Sequence, residues 1–235
     1  MTPGFANEYG GQSPHFEVWF GKVDVEPDRA LWFRYTIFDG AIEEASSWAI
    51  VFDGDRTRGG RDYWELDALE RPNTVVLPEG YDPERFFGNK QVFHAPGEPP
   101  AHIDEGNAIG AAGGIEWDLT WLDSSRRFQY VPKAFADIGV ARSRYDASFL
   151  DLQVRGEVRT AGEVWEVDDR PGMVGHIRGS GFAPQQWAWT HCNNFVDEPE
   201  AAVEGLTAQL GWGTWRAPPL SAFVVYVDGQ RYAFR

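Results

Sequence analysis

Along much of this chain, apolar and polar residues alternate over short segments that Gly, Pro, Asp or Asn separates. Successive side chains of a β-strand point to opposite faces, so a period of two is typical of antiparallel strands joined by tight turns. Asp228-Gly229, between the last two segments, predicts a hairpin turn. The segments that we interpret as strands are 16–25, 31–38, 47–52, 115–122, 149–159, 164–168, 174–177, 186–195, 222–226 and 230–234.

Helices are scarce in this pattern. The best candidate is 198–210, where Ala201, Ala202, Leu206 and Leu210 recur at helical spacing. Residues 95–114 are rich in Pro, Gly and Ala, which predicts a long loop over the surface or at the mouth of a cavity. The regular succession of strands and turns favours a sandwich or a barrel, so we expect an all-β fold.

The charge balance narrows the choice of partners. The chain has 36 acidic and 21 basic residues and a formal net charge of −15, so nucleic acid and anionic membrane surfaces are poor partners. No apolar run approaches the ~20 residues of a membrane span, and residues 1–13 lack the pattern of a signal peptide. A soluble, cytoplasmic protein without a transmembrane segment is therefore expected.

Motifs of several enzyme classes are missing from the sequence. It contains no HExxH pair, no GxSxG elbow and no GxxxxGKS/T phosphate loop. The single cysteine, Cys192, is interpreted as a small buried residue. We therefore expect neither a metal nor a cofactor.

The segment 187–194 carries an unusual strand face. Its odd-numbered residues carry indole, imidazole or carboxamide groups and share one face of a strand. The opposite face holds the smaller residues Ala188, Thr190, Cys192 and Asn194. A buried imidazole or carboxamide without a partner costs about 1–3 kcal/mol, so the larger face indicates the wall of a ligand cavity. The alternatives are that this face points outward, or that its polar groups satisfy neighbouring backbone. The proposed ligand-binding residues of this face are Trp187, Trp189, His191 and Asn193.

Several of these segments together resemble a known family. The carrying motifs are HFEVWF at 15–20, WFRY at 32–35, IEWDLTW at 115–121, and GHIRG at 175–179 continuing to WAW at 187–189. They are similar to the lipocalin-like superfamily of carotenoid hydratases (hydroxyneurosporene synthases), tocopherol cyclases and related proteins. One departure is that the family's Gly-His segment commonly continues with Asn-Trp, where this chain has Ile177-Arg178.

The resemblance implies an architecture of two calycin-type antiparallel barrels. Members are usually longer than this chain, so we expect a shortened relative or a chain without the second half. The implied division is a barrel domain over 1–197, followed by a helix and a hairpin over 198–235 that resemble the start of a second barrel. Because a lone hairpin cannot bury its apolar face, this hairpin is expected to dock on the barrel or to form a homo-oligomer with a second chain.

The resemblance also implies acid-initiated chemistry on isoprenoid chains. Such chemistry needs a proton donor in an apolar site and aromatic faces that stabilise positive charge. Asp118 is the first candidate donor, because burial beside tryptophans would favour its protonated form; the alternative is an ordinary solvated strand face. Trp117, on the same strand, is a further candidate ligand-binding residue. His176 is the second candidate catalytic residue, and His191 is a further possible donor or orienting group.

We therefore expect a cofactor-independent cyclase, hydratase or isomerase that binds a hydrophobic, isoprenoid-like small molecule in a barrel cavity. Two alternatives remain open. One is a non-catalytic carrier of a lipid or terpenoid that uses the same cavity. The other is a β-rich interaction protein whose last strands pair with another chain.

Overall fold

A computed structural model describes residues 7–69, 93–122, 126–131, 143–180, 186–209, 211–212, 215–216 and 218–234. Within these ranges the chain is built of β-strands, with one 3-10 helix at Leu66–Ala68. The strands are β1 (His15–Glu26), β2 (Arg29–Asp39), β3 (Glu43–Asp53), β4 (Arg56–Trp64), β5 (Phe93–Ala95), β6 (Ala101–Ile103), β7 (Asn107–Ala112), β8 (Ile115–Trp121), β9 (Phe128–Gln129), β10 (Ser143–Thr160), β11 (Glu163–Gly179), β12 (Gln186–Cys192), β13 (Ala202–Gln209), β14 (Gly211–Trp212), β15 (Trp215–Arg216), β16 (Leu220–Val227) and β17 (Gln230–Phe234).

Most strands form one antiparallel sheet of eleven strands in the order β4-β3-β2-β1-β11-β10-β8-β7-β6-β5, with β9 beside β10. The sheet curls until β3 and β4 meet β7. Ser47 Oγ donates to Ala111 O at 2.7 Å, and Tyr35 Oη donates to Ile109 O at 2.8 Å. A Cβ added at Gly60 would lie 2.3 Å from Gly113 Cα, so the curled sheet approaches itself here through glycine backbone.

The concave face of this sheet holds the main hydrophobic core. Alternate residues of β1 and β2, among them Trp19 and Phe33, are buried on it. Trp117 from β8 stacks on Phe33 and donates its Nε1–H to Tyr35 Oη at 2.7 Å. The indole N–H of Trp117 and the hydroxyl of Tyr35 are therefore hydrogen-bonded inside the barrel, as buried polar groups usually are.

A second antiparallel sheet, in the order β12-β13-β16-β17, packs on the convex face of β1, β10 and β11. Phe20, Tyr145 and Met173 of the large sheet contact Ala202 and Val224 of the second sheet in a smaller buried cluster. β14 and β15 form a separate two-stranded ribbon. β17 lies at the edge of the second sheet, and its residues are exposed; the oligomer through this hairpin remains a prediction.

The all-β fold is confirmed, and a described strand overlaps each predicted one. The strand predicted over 186–195 ends at Cys192, and those predicted over 164–168 and 174–177 are parts of one strand, β11. The helix expected over 198–210 is wrong, since β13 occupies Ala202–Gln209 and pairs with β12 and β16. Ala202, Leu206 and Leu210 are all even-numbered, so helical spacing and strand parity select the same apolar positions. The residues form a strand because β13 is hydrogen-bonded to a neighbouring strand along each of its edges.

The long loop expected over 95–114 is also wrong, because β6 and β7 lie within it. Its small residues are a packing requirement. A Cβ added at Gly110 would lie 2.5 Å from Trp117 Cζ2, so the indole needs glycine beneath it. No helix in the described part of the chain has the length and apolar character needed to cross a membrane.

Candidate functional site

A buried carboxylate lies where the two sheets meet. Glu204 on β13 has no solvent-exposed side-chain surface. Its Oε1 accepts hydrogen bonds from Tyr145 Oη at 2.5 Å, Trp189 Nε1 at 2.8 Å and Tyr130 Oη at 3.1 Å. Its Oε2 lies 3.0 Å from His191 Nδ1. Burial of a charge is costly unless it is hydrogen-bonded, and these four groups provide that compensation.

Strand register brings the groups together. His191 on β12 stands directly opposite Glu204 on β13, as a cross-strand pair on one face. Tyr145 reaches the same carboxylate from β10 of the barrel, and Tyr130 follows β9. The cluster therefore depends on both sheets and would be lost if they separated.

The tyrosines stay protonated and act as donors. Burial raises the pKa of Tyr145 well above its usual value, and the charge of Glu204 raises it further. The pKa of Tyr130 is raised for the same two reasons, burial first. Both hydroxyls therefore keep their hydrogens at physiological pH and donate them to Glu204 Oε1.

The environment of Glu204 also fixes the tautomer of His191. An ionised carboxylate only accepts hydrogen bonds, so His191 Nδ1 carries a hydrogen. In the neutral ring Nε2 then presents a lone pair. Nε2 is buried, and among the described residues it has no hydrogen-bond partner. An imidazole nitrogen held in this way is ready to accept a proton.

Aromatic rings hold the imidazole in place. Trp189 lies nearly parallel to the His191 ring, with an interplanar angle of 9° and centroids 6.1 Å apart. The same indole meets Phe20 of β1 edge-on, with centroids 5.5 Å apart. Trp189 therefore links the convex face of the barrel to the Glu204–His191 pair.

An open cleft of about 740 Å³ adjoins this pair, between β12 and the convex face of β1, β2 and β3. Its apolar walls include Trp32, Ile50, Phe52 and Trp189, and His191 contributes to the wall. Charged residues form its rim, and two pairs of them are in contact: Lys22 Nζ lies 2.6 Å from Asp24 Oδ2, and Arg29 Nη1 lies 3.7 Å from Glu26 Oε2. The residues that line the cleft are Lys22, Asp24, Glu26, Pro27, Asp28, Arg29, Ala30, Leu31, Trp32, Ile50, Phe52, Trp189, His191, Cys192 and Asn194.

His176 lies on the other side of the large sheet, in a different network. Its ring stacks on Trp19 at 4.7 Å, and its Nε2 lies 2.8 Å from Glu17 Oε1. Burial would raise the pKa of Glu17, but hydrogen bonds from His15 and His176 outweigh burial and lower the pKa to about 2. Arg178 Nη1 lies 3.3 Å from His176 Nδ1, so both ring nitrogens face polar partners.

The remaining candidates are dispersed. Asp118 lies on the half-buried face of β8 opposite Glu157, while Trp117 points to the concave face. Trp187 is 64% exposed. Asn193 is buried and donates to Gly172 O at 2.8 Å, which ties β12 to β11. Of the residues proposed from sequence, Trp189 and His191 come together, and the catalytic roles of His176 and Asp118 remain predictions.

Three residues of this cluster, Glu204, Tyr130 and Tyr145, are not among the site residues that the sequence predicts. Glu204 was assigned to a helix, where one more acidic residue is unremarked. The available signal was its parity: it shares the even positions of β13 with Ala202 and Leu206, which places a carboxylate on an apolar face.

In the described ranges, no three His, Cys, Asp or Glu side chains are grouped as metal ligands.

No family model and no curated protein matches the chain. Several solved structures share its fold, among them the three that follow. A candidate AttH from Nitrosomonas europaea has a TM-score of 0.56 at 13% identity, covering 99% of this chain and 73% of that one. Kievitone hydratase from Nectria haematococca has 0.52 at 9%, covering 92% and 63%. CghA has 0.59 at 9%, covering 93% and 59%.

The chain therefore spans less than two thirds of the length of two of these three proteins. At these identities the likeness concerns the fold. Together with the curled antiparallel sheet, it confirms the all-β, lipocalin-like fold expected from the sequence. The chain shares the lipocalin-like fold of these three structures.

Proposed function

We propose that this protein is a cofactor-independent enzyme that moves a proton on a hydrophobic small molecule bound in the cleft beside β12. The reaction class is hydration, cyclisation or isomerisation. The observation that carries the proposal is His191 Nε2, a buried and unpartnered nitrogen in the described structure, with its opposite nitrogen fixed by Glu204. One of the fold neighbours is a hydratase, which agrees with this class.

The geometry suggests a simple cycle for hydration of an activated alkene. Nε2 removes a proton from water while the water oxygen bonds to the electron-poor carbon of the C=C bond. The imidazolium that results is stabilised by Glu204, and it returns the proton to the adjacent carbon. Isomerisation needs the same two transfers, from one carbon to Nε2 and from Nε2 to another carbon. Neither sequence requires an oxidant or reductant.

The walls of the cleft suit an apolar substrate. Trp32, Ile50 and Phe52 offer surface for a hydrocarbon chain, and the sequence resemblance supports an isoprenoid-like one. In this proposal Glu204 and His191 take the acid–base role for which Asp118 and His176 were the sequence-based candidates. The same assay compares all four residues.

The test uses β-ionone and benzalacetone, two hydrophobic enones, incubated with the purified protein in H₂¹⁸O. Mass spectrometry detects the hydroxyketone that has gained labelled oxygen. We expect His191→Gln to lower the rate by ~10²–10⁴-fold, with a large loss in Glu204→Gln. Thr190→Val, on the exposed opposite face of β12, is the matched control and should keep the rate. Equal rates in His191→Gln and the unmodified protein would remove His191 from the mechanism.

A carrier is the second candidate, and one observation favours it. The His191 side chain has no exposed surface in this structure, so a ligand can lie against Trp32 and Phe52 without reaching Nε2. A carrier binds the enones, as seen by quenching of tryptophan fluorescence, but it incorporates no label. That outcome would favour the carrier.

A further inference from the structure

Next to the cleft lies a positive charge that has no acidic partner among the described residues. Arg34 is on the convex face of β2, two residues from Trp32, which lines the cleft. Its side chain is half-buried, and among the described residues it forms no ion pair. The buried Nε likewise has no hydrogen-bond partner there. In a chain with 36 acidic residues, such a lack of pairing is unexpected.

The neighbours of Arg34 hold it in place without neutralising it. Its guanidinium lies 4.3 Å from the Trp48 ring centroid and 6.0 Å from that of Trp32. Arg61 lies over the same Trp48 ring at 4.7 Å, but it pairs with Glu44. Burial, followed by repulsion from Arg61, lowers the pKa of Arg34 to about 10. In the described part of the chain, Arg61 is therefore compensated and Arg34 is not.

Strand register connects Arg34 to the proposed proton-transfer group. Arg34 stands opposite Phe20 on β1, and Phe20 meets the edge of Trp189. Trp189 in turn lies parallel to His191. Since two residues along a strand span roughly 6.6 Å, a small molecule on Trp32 can meet Arg34 at one end and the His191 wall at the other.

We propose that the ligand of this cleft is a hydrophobic carboxylic acid whose carboxylate binds to Arg34. The apolar body lies on Trp32 and Ile50, and, resting on the proposed function, the reacting carbon faces His191. The planar guanidinium suits a carboxylate because it donates two parallel hydrogen bonds, and a half-buried site strengthens such charge-assisted bonds. The ligand would supply the counter-charge that the described protein does not.

The test measures binding without turnover. Two probes of nearly the same shape, 2-naphthoate and the neutral 2-naphthamide, are titrated by calorimetry and by tryptophan fluorescence. We expect the unmodified protein to bind 2-naphthoate at least about tenfold more tightly, as a charge-assisted hydrogen bond provides. Arg34→Met should remove that preference while leaving 2-naphthamide binding unchanged. Arg58→Gln, which removes an exposed charge on β4, is the control and should keep the preference.

The outcomes separate this proposal from the proposed function. Equal affinity for the two probes, no binding of either, or a preference that survives in Arg34→Met would overturn it. If Arg34→Met does not fold, Arg34→Lys replaces it, since an ammonium loses the two-pronged contact. The preference should then fall about threefold or more, and no fall would overturn the proposal. Both probes are titrated without turnover, so failure of the hydration assay leaves this binding result standing.

Discussion

The buried Glu17 network should make a large, pH-dependent contribution to stability. Glu17 has no exposed side-chain surface, and it accepts hydrogen bonds from His15 Nε2 at 3.1 Å and from the backbone N–H of Glu8 at 2.9 Å. His176 Nε2 lies 2.8 Å away. The difference between the ordinary pKa of 4.5 and the folded value of about 2 corresponds to roughly 3 kcal/mol.

The sign of the pH dependence follows from a depressed carboxyl pKa. The folded state favours the ionised form, so the contribution is fully present above pH 4.5 and is lost as pH falls towards about 2. Glu17→Gln removes the charge but keeps the shape. We expect the variant to lose roughly 3 kcal/mol of unfolding free energy at pH 7. The gap to the unmodified protein should narrow between pH 4.5 and 2.

Urea unfolding followed by tryptophan fluorescence at pH 7, 5 and 3 measures both quantities. Glu116→Gln is the control, because Glu116 is 45% exposed and its oxygen lies 3.9 Å from Arg159. An exposed pair of this kind contributes about 0–1 kcal/mol. A Glu17→Gln variant that unfolds like Glu116→Gln at each pH would refute the assignment of a stabilising, ionised Glu17.

Two further predictions concern the second site and the curl of the sheet. Tyr145→Phe removes the 2.5 Å hydrogen bond to Glu204, so it should cost about 2 kcal/mol in urea unfolding and slow enone hydration; unchanged stability would contradict the role given to this hydroxyl. Gly60→Ala places a Cβ 2.3 Å from Gly113 Cα and should cost about 1–3 kcal/mol. Gly40→Ala, whose Cβ would meet its nearest atom at an ordinary 3.5 Å, should cost much less; equal thermal midpoints would argue against close approach of the glycines.

The sequence predicts most strands because their alternation reflects burial on one face. The sequence does not predict β4, because nearly all of its residues are exposed and neither the odd nor the even positions are apolar. β7 was missed because its glycine and alanine content comes from packing beneath Trp117. Neither property is visible until the neighbouring strands are known.

The sequence predicts only the residues of the candidate site that lie on β12. Trp189 and His191 stand out because large polar aromatic residues share one parity of β12. Their partner Glu204 comes from another strand, and Tyr145 comes from another sheet. Only register and sheet packing, both long-range, bring those side chains to the same carboxylate.

Two Glu–His pairs, each beside a stacked tryptophan, lie on opposite faces of the large sheet, and their hydrogen bonds give them different roles. In the pair on the concave face, His176 directs Nε2 to Glu17 and Nδ1 to Arg178. In the pair on the convex face, His191 directs Nδ1 to Glu204, and Nε2 has no partner in the described structure. His176 thus has a polar group within 3.3 Å of each ring nitrogen, whereas His191 has one only at Nδ1 among the described residues. The cleft adjoins the second pair, and so the second pair is the one that we assign to catalysis.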